Sequence, residues 1–277
     1  MQNLTKIINE AKKKGINSSG ILNIIREYLQ VLILKAIYQS KYGSSLSFMG
    51  GTCLRICHDL KRYSEDLDFT LDRKTPQYSF QELNQAIITF LKNTDFEVDT
   101  KISEDKIVQK SFIRVGKILH FFGVSGLKSQ KIHVKLEIDT NPVKILPTDV
   151  ETFFVTKFNE MFPILKHSDD TLFAGKLCAV FNREYTKGRD FYDLLWYLNR
   201  KEKINLSYLN NAMKQAGIKM KFKDADDVIK KLKTKIATVN VDDIMKDISR
   251  FLEDSREESV LKNYHAAFEQ AATRYLA

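Results

Sequence analysis

Residues 48–69, FMGGTCLRICHDLKRYSEDLDF, decide the fold of this chain. The pair Gly50-Gly51 follows a short stretch that is predicted to be extended, and Thr52 is predicted to cap a helix that runs to about Asp59. Glycine lets backbone N–H groups approach a phosphate closely, and the N-terminus of a helix favours negative charge. The turn is therefore a candidate phosphate site, where the Thr52 hydroxyl could hydrogen-bond a phosphate oxygen.

The acidic end of the same stretch alternates charged and apolar residues. Asp66 and Asp68 are separated by Leu67, and this period of two predicts a half-buried strand over residues 66–71. Aspartates at this spacing project from one face of a strand, where their charges repel each other unless a cation lies between them. Mg²⁺ prefers oxygen ligands and usually keeps substrate phosphates in its shell, so the pair predicts a magnesium site suited to phosphoryl or nucleotidyl transfer.

A site of this kind ordinarily takes a third carboxylate from a neighbouring strand. The segment KLEID, residues 135–139, offers Glu137 and Asp139 on one face of a predicted strand. A Gly-Gly turn or a D-x-D pattern is common by itself, but a turn, a helix and an acidic strand in this order are much more specific. The residues alone leave the choice of third carboxylate open.

The rest of the chain predicts an α+β protein with two lobes. We predict an α/β lobe over residues 1–150, with a mixed sheet and helices, and an all-helical lobe over residues 151–277, because the chain is expected to turn helical after Pro142 and Pro147. The predicted helices are 21–41, 79–92, 172–184 and 189–198, with helical pattern from 206 onward, and the predicted strands are 66–71, 96–102, 107–118 and 132–139.

Composition excludes several classes of protein. The N-terminus lacks the apolar core of a secretory signal, and no segment could span a bilayer, so we expect a cytoplasmic protein without a membrane partner. Three cysteines argue against a disulfide framework. Cys53, Cys57 and His58 invite a zinc interpretation, but no second cluster supplies the remaining ligand, so we expect reduced, buried thiols.

The positive charge of the chain is concentrated in one segment. The net charge is +9, and residues 200–235 carry eleven Lys or Arg against four Asp or Glu, a local charge of +7. This excess suits an anionic partner such as RNA. Charge alone is equally consistent with a set of solvated helix faces.

A second motif lies at residues 175–198, GKLCAVFNREYTKGRDFYDLLWYL. Lys176 stands in an apolar helix, where a partly buried lysine needs an anionic partner. Lys176 and Arg183 are seven residues apart and are predicted to share one helical face, and Asp190 and Asp193 are neighbours on the next helix. Without further information these are either surface ion pairs or contacts to a triphosphate.

Both motifs resemble the AbiEii/AbiGii toxin nucleotidyltransferases, a family that includes the MenT toxins and belongs to the DNA polymerase β-like superfamily. The first motif is similar to the family's Gly-Gly turn and D-x-D strand. The second is similar to its helix lysine, following arginine and R-D-x-x-D pattern, in which Arg189 is the arginine of R-D. The resemblance implies a two-lobed, polymerase β-like enzyme, an NTP substrate bound with Mg²⁺ (or Mn²⁺), and an antitoxin encoded nearby.

The resemblance also assigns candidate roles to residues of this sequence. Members of the family vary at the third carboxylate, for which we prefer Glu137 to Asp139. The resemblance implies that the Lys176 ammonium lies near Asp190 when no nucleotide is bound. The implied catalytic residues are Asp66, Asp68, Lys176 and Asp190; the implied nucleotide-binding residues are Gly50, Gly51, Thr52, Arg55, Ser64, Lys176 and Arg183; and the implied metal ligands are Asp66, Asp68 and Glu137.

The leading interpretation is a toxin that transfers a nucleoside monophosphate from an NTP to an acceptor. The resemblance implies a tRNA 3′ end as the preferred acceptor, whose modification would inhibit translation and growth. The basic segment supports this expectation, because it would hold the phosphate backbone. The alternatives are nucleotidylation of a protein or a small molecule, and a non-catalytic nucleotide- or RNA-binding module. No motif fixes the base of the NTP, the identity of the tRNA or the oligomeric state.

Overall fold

The structure is a computed structural model that describes residues 1–72, 78–104 and 106–277. The chain divides into two compact units, each discontinuous in sequence. The first, called the sheet unit, comprises Met1–Pro142 and Glu151–Lys166. The second, called the helical unit, comprises Val143–Val150 and His167–Ala277. The predicted boundary near residue 150 falls where the chain returns to the sheet unit.

The described residues form one mixed sheet of seven strands in the order β3-β4-β5-β2-β1-β7-β6. β2 is parallel to β5 and antiparallel to β1, which is parallel to β7. β4 is antiparallel to both β3 and β5. The strands are β1 Leu46–Met49, β2 Asp66–Leu71, β3 Val98–Ser103, β4 Val108–Val115, β5 Ile132–Asp139, β6 Val150–Val155 and β7 Phe162–His167.

The sheet extends further along the chain than the sequence predicts. The expectation that the chain turns helical after Pro142 is wrong, because β6 and β7 follow. β7 lies beside β1, where it buries Phe162 and Ile164. The predicted strands over 66–71 and 132–139 are confirmed with the same bounds. The predicted strand over 107–118 ends earlier, at Val115.

Five helices belong to the sheet unit. The longest, α2, begins after Asn17, whose side chain accepts a hydrogen bond from the Gly20 amide at 2.9 Å. Apolar residues line almost the whole of α2, and most of them are buried, so this helix forms much of the core. The helices are α1 Gln2–Lys13, α2 Ser18–Gln39, α3 Gly50–His58, α4 Phe80–Lys92 and α5 Ile118–Phe121.

The helical unit is built from the remaining helices, which pack through aromatic residues. Phe173 and Tyr197 stack with ring centroids 4.5 Å apart, and the buried Tyr264 hydroxyl donates to the Phe191 carbonyl at 3.0 Å. The predicted α+β class with a helical C-terminal region is confirmed. The helices are α6 Asp169–Asn182, α7 Gly188–Asn199, α8 Leu206–Gln215, α9 Ala225–Ile236, α10 Val241–Ile248, α11 Glu258–Lys262 and α12 Tyr264–Leu276.

None of the helices in the described parts of the chain is long and apolar enough to cross a membrane.

Candidate active site

The acidic face of the sheet is formed by β2, which lies between β5 and β1. Leu67 and Phe69 are buried on one side of this strand, and Asp66 and Asp68 project from the other side, where they are half-buried. The predicted alternation is therefore confirmed. The apolar side fixes the register of the strand, so both aspartates are held on the same surface.

The neighbouring strand β5 brings a third carboxylate to this face. In the parallel pairing, Asp68 is the partner of Glu137 and Asp66 is the partner of Lys135. Asp139 pairs with Thr70, two residues further along each strand. The register thus favours Glu137 over Asp139 as the third carboxylate beside the aspartates.

Glu137 is held by two lysines. Its carboxylate oxygens lie 2.8 Å from the Lys135 ammonium and 2.9 Å from the Lys110 ammonium. Burial raises the pKa of Glu137, but the hydrogen bonds from both lysines outweigh it, so the pKa is lowered. Burial likewise lowers the pKa of Lys135, but the hydrogen bond to Glu137 and the charges of Glu137, Asp66 and Asp68 raise it overall. Both groups are charged at neutral pH.

The donor set of this face fits a hard cation. Asp66, Asp68 and Glu137 supply only carboxylate oxygens, the ligands that Mg²⁺ prefers. Within the described ranges, no three His, Cys, Asp or Glu side chains are already grouped as a metal site.

The Gly-Gly turn lies against the acidic strand. Gly50 has φ of +80°, and the place of a Cβ at this residue is filled by the Asp68 carboxylate. Helix α3 begins at Gly50, and no side chain caps it. The prediction that Thr52 is the N-cap is therefore wrong, since the helix starts two residues earlier. The first backbone N–H groups of α3 therefore lie next to Asp68.

Thr52 connects the helix to the strand. Its side chain is fully buried, and its hydroxyl donates a hydrogen bond to the backbone carbonyl of Asp66. The predicted hydrogen bond from this hydroxyl to a phosphate is not favoured, because the proton is already donated within the protein. Thr52 instead fixes the distance between the Gly-Gly turn and the first aspartate.

Ser64 and Arg62 lie beneath the turn. The position that a Cβ of Gly51 would take is 3.1 Å from the Ser64 hydroxyl and 2.7 Å from an Arg62 guanidinium nitrogen. Arg62 is only 1% exposed, and it donates to the Tyr63 carbonyl at 3.0 Å. The burial of this arginine was not predicted, because a charged residue in a polar loop is ordinarily exposed. The only hint in the sequence is that Arg62 lies inside the first motif.

Arg55 is committed to contacts inside the sheet unit. Its guanidinium makes a bidentate pair with the buried Glu27, at 3.0 and 2.9 Å, and also donates to the Leu60 carbonyl at 2.8 Å. Lys157 reaches Glu27 and the Arg55 carbonyl, at 3.0 and 3.2 Å. These contacts do not favour the predicted nucleotide contact of Arg55. They favour a role in fixing the orientation of α3.

In the helical unit, Lys176 of α6 faces two aspartates of α7. Its ammonium lies 2.7 Å from Asp190 and 2.8 Å from Asp193, and the expected proximity of Lys176 to Asp190 is confirmed. Asp190 is 3% exposed and Asp193 is fully buried. A lysine in this apolar helix therefore has the anionic partners that it needs to stay charged.

Arg183 reaches the same aspartate from the end of α6. It follows the last helical residue, with an extended backbone, so it is not on the helical face that the sequence predicts. Its Nε lies 2.8 Å from Asp190 Oδ2, although the two are not aligned as a hydrogen bond. Burial raises the pKa of Asp190, but the charge and hydrogen bond of Lys176 and the charges of Arg183 and Lys187 lower it to about 2.

Arg189, the arginine of the R-D pattern, points elsewhere. Its backbone amide donates to Asp247 at 3.0 Å, and its guanidinium lies 4.3 Å from the centre of the Phe251 ring. It joins α7 to α10 and the short turn that follows. Lys176, Arg183 and Asp190 thus form the charged cluster of the second motif, and Arg189 lies outside it.

Comparison with known proteins supports the interpretation of both motifs. A family model described as nucleotidyl transferase AbiEii toxin, type IV TA system, matches residues 32–274. No curated protein matches the chain. The match contains both the acidic face with its Gly-Gly turn and the charged cluster on α6 and α7.

Two solved structures from Helicobacter pylori share the fold. JHP933 from Helicobacter pylori is 20% identical, with a TM-score of 0.57 and 91% of each chain covered. A candidate nucleotidyltransferase from H. pylori is 20% identical, with a TM-score of 0.58, 91% of this chain and 93% of that chain covered. MenT4, a nucleotidyltransferase toxin from Mycobacterium tuberculosis H37Rv, is 16% identical, with a TM-score of 0.47, 94% of this chain and 88% of that chain covered.

Proposed function

Since the chain belongs to the AbiEii family of nucleotidyltransferase toxins of type IV toxin–antitoxin systems, we propose that it transfers a nucleoside monophosphate from an NTP to a tRNA 3′ end. The transfer would release pyrophosphate and block aminoacylation, and so inhibit translation and growth. The toxin would act in the cytoplasm, where both substrates are available, and an antitoxin encoded nearby would restrain it.

One observation carries this proposal: the strand register pairs Asp68 with Glu137, and the Gly-Gly turn lies against Asp68. The two aspartates, with Glu137, would hold Mg²⁺, or Mn²⁺ in its place. When bound, the metal ion would neutralise the charge that develops on the transferred phosphoryl group and on pyrophosphate. Gly50 and Gly51 would let a phosphate approach the first amides of α3, where the helix dipole favours negative charge.

We also assign triphosphate contacts to Ser64 and to Lys176. The Ser64 hydroxyl lies close to Gly51, so it can donate to a phosphate oxygen at the turn. The Lys176 ammonium, kept charged by Asp190 and Asp193, can stabilise the negative charge of the transition state. Asp190 acts by holding Lys176 and Arg183 in position, since it contacts both.

The acceptor is supported by the distribution of charge. Several lysines of the basic segment have exposed side chains, including Lys219, Lys221, Lys223 and Lys230. Such lysines attract a phosphate backbone without reading its sequence. Others in the segment are engaged, since Lys231 pairs with Asp227 at 2.8 Å and Lys233 pairs with Glu269 at 2.6 Å. The exposed group is therefore the surface that we assign to RNA.

The proposal is tested by incubating the purified chain with each α-³²P-labelled NTP, Mg²⁺ and total tRNA. We expect one NTP to label tRNA, the label to disappear with EDTA, and periodate oxidation of the tRNA 3′ diol to prevent labelling. Label on protein in a cell extract but not on tRNA would move the acceptor to protein. If the chain binds NTP but transfers it to no acceptor, the protein is a non-catalytic nucleotide-binding module.

A further inference from the structure

An aromatic side chain is held at the surface next to the charged cluster of the helical unit. Tyr185, in the loop between α6 and α7, is 64% exposed. Its hydroxyl accepts a hydrogen bond from Arg183 at 2.8 Å, and the guanidinium lies 5.7 Å from the ring centre. Exposure of a large aromatic ring is unfavourable by itself, and here the ring is also fixed in place, as a stacking surface must be.

A cavity of about 110 Å³ opens beside this ring. Its wall combines two cationic residues, Arg183 and Lys235, with two acidic residues, Glu184 and Asp190, and with the hydroxyl-bearing Thr186 and Thr238. Val180 and Phe191 add apolar surface. Lys235 is positioned by a hydrogen bond of 3.3 Å to the Arg183 carbonyl, which brings α9 to the same place. Apolar surface, hydroxyl groups and charged groups of both signs together suit a ligand with an apolar face and polar edges.

A series of side-chain contacts connects the cavity to Lys176 of the charged cluster. Tyr185 is hydrogen-bonded to Arg183, Arg183 is 2.8 Å from Asp190, and Asp190 is 2.7 Å from Lys176. Two side chains, those of Arg183 and Asp190, therefore separate Tyr185 from the lysine to which we assign transition-state stabilisation. A nucleotide unit has the required combination of a flat apolar base, a hydroxylated sugar and a phosphate.

We propose that Tyr185 and this cavity bind one nucleotide unit, with the base stacked on the ring and the sugar or phosphate oxygens directed at Arg183 and Lys235. This inference rests on the proposed function, because nucleotide units come from either of its substrates: the NTP, or the unpaired 3′ end of the acceptor RNA. The chemistry that Tyr185 recognises is the same in both. The experiment separates the two sources.

The test measures binding, so it does not depend on transfer. The probes are each NTP with Mg²⁺, and a short single-stranded oligoribonucleotide that ends in fluorescent 2-aminopurine. We expect Tyr185→Ala to weaken the binding of one probe about tenfold, because the stacking of one base contributes about that factor. Tyr185→Phe and Tyr185→Trp should keep most of the affinity, since both keep an aromatic face. Quenching of 2-aminopurine by the wild-type chain, lost in Tyr185→Ala, would identify the RNA end as the source.

A matched control is another exposed aromatic residue. Phe154 of β6 is 60% exposed, and Phe154→Ala should leave both affinities unchanged. The inference is overturned if folded Tyr185→Ala binds both probes within about twofold of wild type, or if wild type binds neither probe. If Tyr185 governs binding but no acceptor is labelled under any condition, the site stands and the proposed function fails.

Discussion

Gly50 and Asp68 are adjacent across the turn, and Gly50 has no space for a larger group. Gly50 has a backbone conformation that side chains rarely adopt, and the Asp68 carboxylate fills the space where its Cβ would be. Glu137 lies on the other side of Asp68, on β5. The carboxylate is thus fixed between a backbone and a neighbouring strand before any ligand binds.

Replacing Gly50 by alanine should displace Asp68. We expect Gly50→Ala to lower stability by more than the roughly 1 kcal/mol that a positive φ costs alanine, and to abolish transfer. Gly123→Ala is the matched control, because Gly123 has φ of +70° with nothing within 4 Å of its Cβ position. Urea unfolding and transfer assays on both variants check this. Full activity of Gly50→Ala would contradict the assigned geometry.

Substitutions on the acidic face should distinguish the residues that bind the metal ion from those that do not. Asp68→Asn keeps the size of the side chain and removes its charge, so transfer should fall by about two orders of magnitude or more. We expect a similar loss for Glu137→Gln and little change for Asp139→Asn, because the register places only Glu137 beside Asp68. Rates at saturating NTP over a Mg²⁺ titration measure this. The reverse order for Glu137 and Asp139 would assign the third ligand to Asp139.

At the scale of elements, the contact between α6 and α7 depends on buried charge. Lys176 is the cation for two aspartates that solvent hardly reaches. A buried ion pair contributes little when intact, but removing one partner leaves the other buried without compensation. The cluster therefore couples the stability of this helix pair to its charge state.

The pH dependence of stability should reveal this coupling. The pKa of Asp190 is about 2 in the folded chain, against 3.8 ordinarily, so the unfolded chain takes up the proton first as pH falls. The stabilisation is present above pH 4 and is lost toward pH 2. Between pH 5 and pH 3 we expect Asp190 to account for a loss of about 1 kcal/mol. Urea unfolding of wild type should show this loss, and Asp190→Asn should lack it; equal slopes would contradict the assignment.

Lys176→Ala should lose both transfer and stability. Truncating a lysine at the surface would leave little cavity and an intact fold. Because Asp190 and Asp193 are buried, we expect the free energy of unfolding to fall by about 3 kcal/mol. Lys176→Arg should retain most of the stability but transfer poorly, because a planar guanidinium does not replace a compact ammonium. Transfer by Lys176→Ala at the wild-type rate would exclude the catalytic role.

Elements with a local hydrophobic pattern were predictable from the sequence. Elements and contacts that depend on residues distant in sequence were not. The alternation in Asp66–Leu71 and the helical spacing around Lys176 are readable from a few residues. The strands β6 and β7 were missed because two prolines precede them and β7 gains its burial from β1. The roles of Thr52, Arg55 and Arg62 depend on partners distant in sequence, so their residue types suggested exposed or ligand-binding groups.

At the scale of the whole molecule, the charge of +9 should govern RNA binding. Replacing Lys219, Lys221, Lys223 and Lys230 by glutamine should weaken tRNA binding and leave NTP binding unchanged. The slope of log K against log salt should decrease in magnitude by up to about 3, from about 0.7 per lost single-strand phosphate contact. The control replaces four exposed lysines of the sheet unit, Lys92, Lys101, Lys106 and Lys128, with the same change in net charge. If the two sets of substitutions weaken tRNA binding equally, the basic segment attracts RNA only through the net charge of the protein.

The interleaved course of the chain determines how this protein could be dissected. The backbone passes from one unit to the other three times, after Pro142, after Val150 and after Lys166. A fragment ending at residue 150 would lack β7, which pairs with β1, and nearly all of β6. No single proteolytic cut therefore yields both units complete on separate fragments. A chimaera that exchanges the helical unit between relatives must carry Val143–Val150 together with the segment from His167 onward.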